Sequence, residues 1–140
     1  MELLKNWKIF AIILLVVALI VWWIYAQGKK AATGPQVDLP GGANAIPAGW
    51  SPEPLAKELH DAMDSLLVFA DTKETAFKKL FELPTDAMIV AVYNAFGKLY
   101  FSEGYGTLTE WIRDESNYVP ELLGGVRARL LSKLQSLNLS

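Results

Sequence analysis

Two stretches of the chain are almost free of polar residues, and between and after them the apolar positions recur at helical spacing. The first stretch, "IFAIILLVVALIVWWIYA" at residues 9–26, is bounded by Lys8 and by Lys29 and Lys30. A bilayer core of about 30 Å needs about 20 apolar residues in a helix, and Gln27 and Gly28 extend the uncharged run to that length. Trp7 lies at one end and Trp22, Trp23 and Tyr25 at the other. That is about 22–27 Å of helix, the separation at which a spanning helix places aromatic rings in both interfaces. The pattern predicts a transmembrane anchor over residues 1–30, held by Trp7, Lys8, Trp22, Trp23, Tyr25, Lys29 and Lys30. A cleavable signal peptide is the rival reading, because "AQG" at 26–28 offers small residues at a peptidase's spacing. Against it, the run exceeds a usual signal core and two tryptophans crowd its end. Lys5 and Lys8 balance Lys29 and Lys30, so basic residues do not orient the helix, and the terminal amine tips it toward an N-terminus inside.

The second stretch, "AMIVAVYNAFGKLYF" at residues 87–101, is nearly as apolar. Met88, Ile89, Val92, Tyr93, Ala95, Phe96 and Leu99 surround the helix it predicts instead of forming one stripe, so that helix is either central to a bundle or in lipid. Length decides between them. Before its first charge, Lys98, the run covers about 16 Å, half a bilayer, and it includes Asn94 and Gly97. It therefore predicts a central buried helix, with Met88, Ile89, Val92, Tyr93, Phe96 and the later Trp111 as core.

The remaining elements follow from periodicity and caps. Ser51 caps a helix with Pro52 in its first turn and Leu55, Leu59, Ala62, Met63, Leu66 and Leu67 on one face. Asp71 with Glu74 reads as a capping box for a second helix. That helix turns Ala76, Phe77, Leu80 and Phe81 inward and Lys73, Lys78 and Lys79 outward, and Pro84 stops it. Thr85 caps the central helix, and Gly104 and Gly106 mark a turn. Leu108, Trp111 and Ile112 face a short fourth helix. A fifth runs from about Tyr118, with Val119, Leu122, Leu123, Val126, Leu130, Leu134 and Leu137 at helical spacing. Gly124 and Gly125 inside it imply a bend or a close backbone approach. No segment alternates with period two, so the fold class predicted is all-α: transmembrane helix, Pro/Gly linker, five-helix bundle.

Residues 31–50 separate anchor from bundle (51–140). Pro35, Pro40, Pro47 and then Pro52 and Pro54, with Gly34, Gly41, Gly42 and Gly49, leave no helical or strand period. Such a segment reads as a flexible tether, spanning about 25 Å on average and about 70 Å when stretched.

Composition narrows the function. The chain has no cysteine, which excludes thiol nucleophiles, disulfides and cysteine metal sites. The net charge of -2 conceals a basic N-terminal part and an acidic remainder, and an acidic domain without a basic stripe argues against nucleic acid. Arg127, Arg129 and Lys133 on the last helix read as a solvated face.

Ala56-x-x-Leu59-x-x-Ala62-Met63, Asp71-Thr72-Lys73-Glu74, Ile89-x-x-x-Tyr93 with Phe96-Gly97-Lys98-Leu99-Tyr100, Trp111-Ile112-x-x-Glu115 and the segment from Tyr118 to Val126 occur in the order of the five helices of an annexin repeat. The resemblance covers about residues 55–135, a single repeat, and rests mostly on packing residues. It implies an annexin-like five-helix fold. Annexins bind calcium and acidic lipid through a Gly-x-Gly-Thr loop, whereas here that loop is "SLLVFADT" at residues 65–72, without glycine. Neither calcium nor any other cofactor is therefore expected.

His60, the only histidine, neighbours Asp61 and stands one turn before Asp64, where a carboxylate could orient it. Its bland reading is a partly exposed surface residue, and one histidine cannot make a histidine-rich metal site. "WIRDESNYVP" is similar to the catalytic glutamate region of lytic transglycosylases, with Glu115 as proton donor. Too little chain follows Glu115 for that family's sugar cleft, so Glu115 reads as a helix end.

The expectation is a non-enzymatic, single-pass membrane protein. It would be anchored in the bilayer through residues 9–26 and would hold a protein partner: a capsid or envelope protein, or a second copy. Its setting would be a bacterial inner membrane or the internal membrane of a phage virion. A peripheral lipid-binding module is the alternative, followed by a wall-cleaving enzyme using Glu115.

Overall fold

The computed structural model describes residues 6–30, 33–65, 69–115 and 124–140. Among them are six α-helices: α1 (Trp7–Lys30), α2 (Glu53–Asp64), α3 (Ala70–Phe81), α4 (Asp86–Tyr100), α5 (Leu108–Asp114) and α6 (Arg127–Ser136). The chain divides into two compact units, Met1–Ala32 and Thr33–Ser140.

The first unit is α1. Among the described residues, no helix is long and apolar enough to cross a membrane. The transmembrane anchor, the single-pass topology and the bacterial or virion membrane location that rested on it are corrected accordingly. Trp7, Trp22, Trp23 and Tyr25 are each at least 60% exposed, and the side chains of Lys8, Lys29 and Lys30 lie outside the described residues.

The second unit has a core built on α4. Val92 and Phe96 are completely buried, and Met88, Ile89, Tyr93 and Trp111 are nearly so. Around them pack Ala56 and Leu59 from α2, Phe77 and Leu80 from α3, Leu108 and Ile112 from α5, and Leu130 and Leu134 from α6. Leu99, expected on the same surround, is instead exposed. The Thr85 hydroxyl accepts the Met88 N–H at 3.3 Å and caps α4.

Other caps differ from the sequence reading. Pro52, not Ser51, occupies the position before α2, while Ser51 Oγ donates to the Glu53 carboxylate. No capping box closes α3. Its preceding residue is Phe69, and Glu74 reaches across to accept the Val126 N–H at 3.0 Å, at the start of α6. The expected box instead occurs at α5, between Thr107 and Glu110. Helix α6 begins at Arg127, after Gly124 has turned the chain at φ +83°. The expected helical start at Tyr118, with Val119, Leu122 and Leu123, lies outside the described residues, as do Leu66 and Leu67.

The Pro/Gly segment also departs from a free tether, because from Thr33 it belongs to the compact unit. Gly34 N–H donates to the Gly97 carbonyl at 3.1 Å. Asn94 makes a two-sided clasp: its Oδ1 accepts the Val37 N–H at 2.9 Å and its Nδ2 donates to the Val37 carbonyl at 2.7 Å. Val37, Leu39 and Trp50 pack on the core. The glycines are needed here for closeness: a Cβ at Gly34 would lie 3.1 Å from the Gly97 Cα and 3.0 Å from the Phe101 ring.

Candidate functional site

Helix α2 carries His60 and Asp64 one turn apart, so both side chains leave the same face. After α4 the chain makes a tight helical turn, Phe101–Glu103, then bends through Gly104 at φ +86° and Gly106 at φ +92°. That turn brings Glu103 to α2. His60 Nε2 lies 2.9 and 3.0 Å from the two Glu103 carboxylate oxygens. On the other side of the ring, Nδ1 stands 3.4 Å from Asp61 Oδ1. Lys57, one turn back, holds the Asp61 carboxyl below its usual range, and the His60 contact adds to this.

His60 is partly exposed, its side chain at 12%, and the ring is held among aromatic neighbours. The ring stacks on Tyr100 with centroids 3.8 Å apart and planes 11° from parallel. Trp111 lies 5.3 Å away, and Phe96 meets Trp111 edge-on at 5.6 Å. Burial raises the Tyr100 hydroxyl above the usual phenol range.

Beside this aromatic stack opens a cleft of about 640 Å³. Asp64, Tyr105, Glu110, Trp111, Asp114 and Glu115 are among its lining residues, with Lys73 their one cationic neighbour among the described residues. Tyr105 is 68% exposed and meets Trp111 edge-on at 5.4 Å. The Lys73 ammonium is already committed to Glu115 at 2.7 Å, with side chains only 1% and 7% exposed. Glu110 Oε2 accepts the Thr107 N–H at 2.6 Å as half of the α5 capping box. Asp64 and Asp114 are left to set an acidic field at the mouth.

The sequence reading reached this region only in part. It singled out His60 with Asp61 and Asp64, and it named Trp111 as core. It turned Lys73 outward, where the structure buries it against Glu115. It missed Glu103, Tyr105, Glu110 and Asp114. Two signals were available: Thr107-x-x-Glu110 has capping-box spacing, and a tyrosine between two glycines is a turn that presents a ring. Nothing local in the sequence tells that Glu103 reaches His60, 43 residues earlier.

No family model matches the chain, and no curated protein or solved structure matches it.

Proposed function

We propose that this is a non-enzymatic interaction protein whose Thr33–Ser140 unit binds a partner protein through the cleft beside α5, taking a lysine- or arginine-bearing segment. The observation that carries the reading is the cleft's lining: carboxylates of Asp64 and Asp114 beside the rings of Tyr105 and Trp111, with the one lysine there neutralised by Glu115. An ammonium or guanidinium over such rings gains about 0.5–2 kcal/mol from the ring faces. The surrounding acids add steering and discrimination against acidic partners. The helix order resembling an annexin repeat belongs to this proposal as a reading of the fold alone.

The test is a fluorescence-anisotropy titration of the chain with short labelled peptides of equal length, rich in lysine, arginine, glutamate or serine. The basic peptides are expected to bind, more weakly as salt rises. Equal binding of all four, or binding insensitive to salt, contradicts the proposal.

A further inference from the structure

His60, Asp64 and Glu103 can each offer one donor atom with all three atoms within 4.8 Å of one another. We infer that these three side chains form a binding site for a first-row transition cation such as Zn²⁺, which would clasp α2 to the turn that ends α4. The three donors come from two separate elements, α2 and the turn Phe101–Glu103. In a tetrahedral zinc site, ligand bonds of about 2.0–2.2 Å set neighbouring donors about 3.3 Å apart. His60 Nε2 and the Glu103 oxygens are already 2.9–3.0 Å apart, so admitting an ion requires a shift of a few tenths of an ångström there. The carboxylates can supply it, because Glu103 and Asp64 are exposed side chains that can change rotamer.

The imidazole is prepared differently from its carboxylate neighbours. Stacking on Tyr100 fixes the ring plane. Asp61 Oδ1 stands 3.4 Å from Nδ1, the place of the outer carboxylate partner usual for a metal-bound histidine, and at Nε2 the ion would take the place of a proton shared with Glu103. The donor set also chooses the ion. One imidazole and two carboxylates suit Zn²⁺ and its neighbours, whereas Ca²⁺ and Mg²⁺ demand all-oxygen shells. A water completes the fourth position. The site stands apart from the peptide-binding reading, since His60 and Glu103 do not line the cleft, although Asp64 does.

The test uses the full, untagged chain in a mild detergent. His60 is the only histidine, so its imidazole NMR signals report the site without ambiguity. Titration with Zn²⁺ is expected to saturate at one ion per chain and to shift both ring signals. Co²⁺ should give the absorption of a tetrahedral nitrogen–oxygen site, and Ca²⁺ and Mg²⁺ in excess should not compete. Glu103→Gln and Asp64→Asn are expected each to weaken Zn²⁺ binding at least about tenfold, and Asp61→Asn by about ten- to a hundredfold. Both ligand variants sit at exposed positions, so an unchanged thermal melt without metal shows that they remain folded. No stoichiometric binding, or Zn²⁺ affinity unchanged in Glu103→Gln, overturns the inference. Loss of metal binding in Glu103→Gln with basic-peptide binding retained would show that the two readings stand separately.

Discussion

Lys73 and Glu115 form a contact with a large lever on stability. Both are taken out of water, and the 2.7 Å ion pair offsets that loss. Breaking such a pair from one side leaves a buried charge and costs about 3–5 kcal/mol, whereas replacing both members with apolar residues can be neutral. Glu115→Gln is therefore expected to lower the urea midpoint sharply, and adding Lys73→Met to it should recover much of the loss. A Glu115→Gln chain as stable as the wild type would show that the pair is not closed in solution. Lysine burial was not legible in the sequence. Lys73 lies on the helix that also carries Lys78 and Lys79, and all three look alike until the fold brings Glu115 over one of them.

At the scale of elements, α4 was the most legible part of the chain. Its caps, its length and its all-round apolar surface were each local and mutually consistent. Asn94 and Gly97 were legible only as interruptions that argue against lipid. In the structure they dock the Pro/Gly segment: Asn94 clasps Val37, and Gly97 lets Gly34 approach. Proline and glycine announce irregular backbone, but they do not say whether that backbone hangs free or lies on a helix, because the partner is some 57 residues away. Asn94→Ala removes both hydrogen bonds of the clasp and should cost about 1–3 kcal/mol by chemical denaturation. The two glycines should respond in opposite ways. A Cβ at Gly34 meets the Gly97 backbone at 3.1 Å, so Gly34→Ala should release the segment and raise its amide exchange. A Cβ at Gly97 meets nothing closer than 3.4 Å, so Gly97→Ala is expected to be tolerated, with up to about 1 kcal/mol of helix propensity gained. Equal destabilisation by both would contradict the docking geometry.

At the scale of the whole molecule, the two units have opposite surfaces. The Thr33–Ser140 unit has a buried apolar core, with Phe69, Leu99 and Tyr105 left exposed. Along α1, by contrast, Ile12, Leu14, Leu15, Val21, Trp22 and Trp23 are each at least 60% exposed. A continuous apolar surface of this kind marks an association surface, and in water without detergent the surface most available to it is a second copy. Sedimentation should therefore show concentration-dependent association of the full chain. A chain beginning at Thr33 should be monomeric and should melt within a few degrees of the full chain. Aggregation of that shorter chain would show that the unit does not stand alone.

The central claim is that the cleft beside α5 recognises a basic segment through its acids. Its most direct measurement compares the wild-type chain with the Asp64→Asn/Asp114→Asn double variant in calorimetric titration against one lysine-rich peptide. Each rim charge is worth up to about 1 kcal/mol, so the double variant is expected to bind several-fold to about thirtyfold more weakly, with an unchanged melting temperature. Equal affinity of the two chains for that peptide would contradict the account.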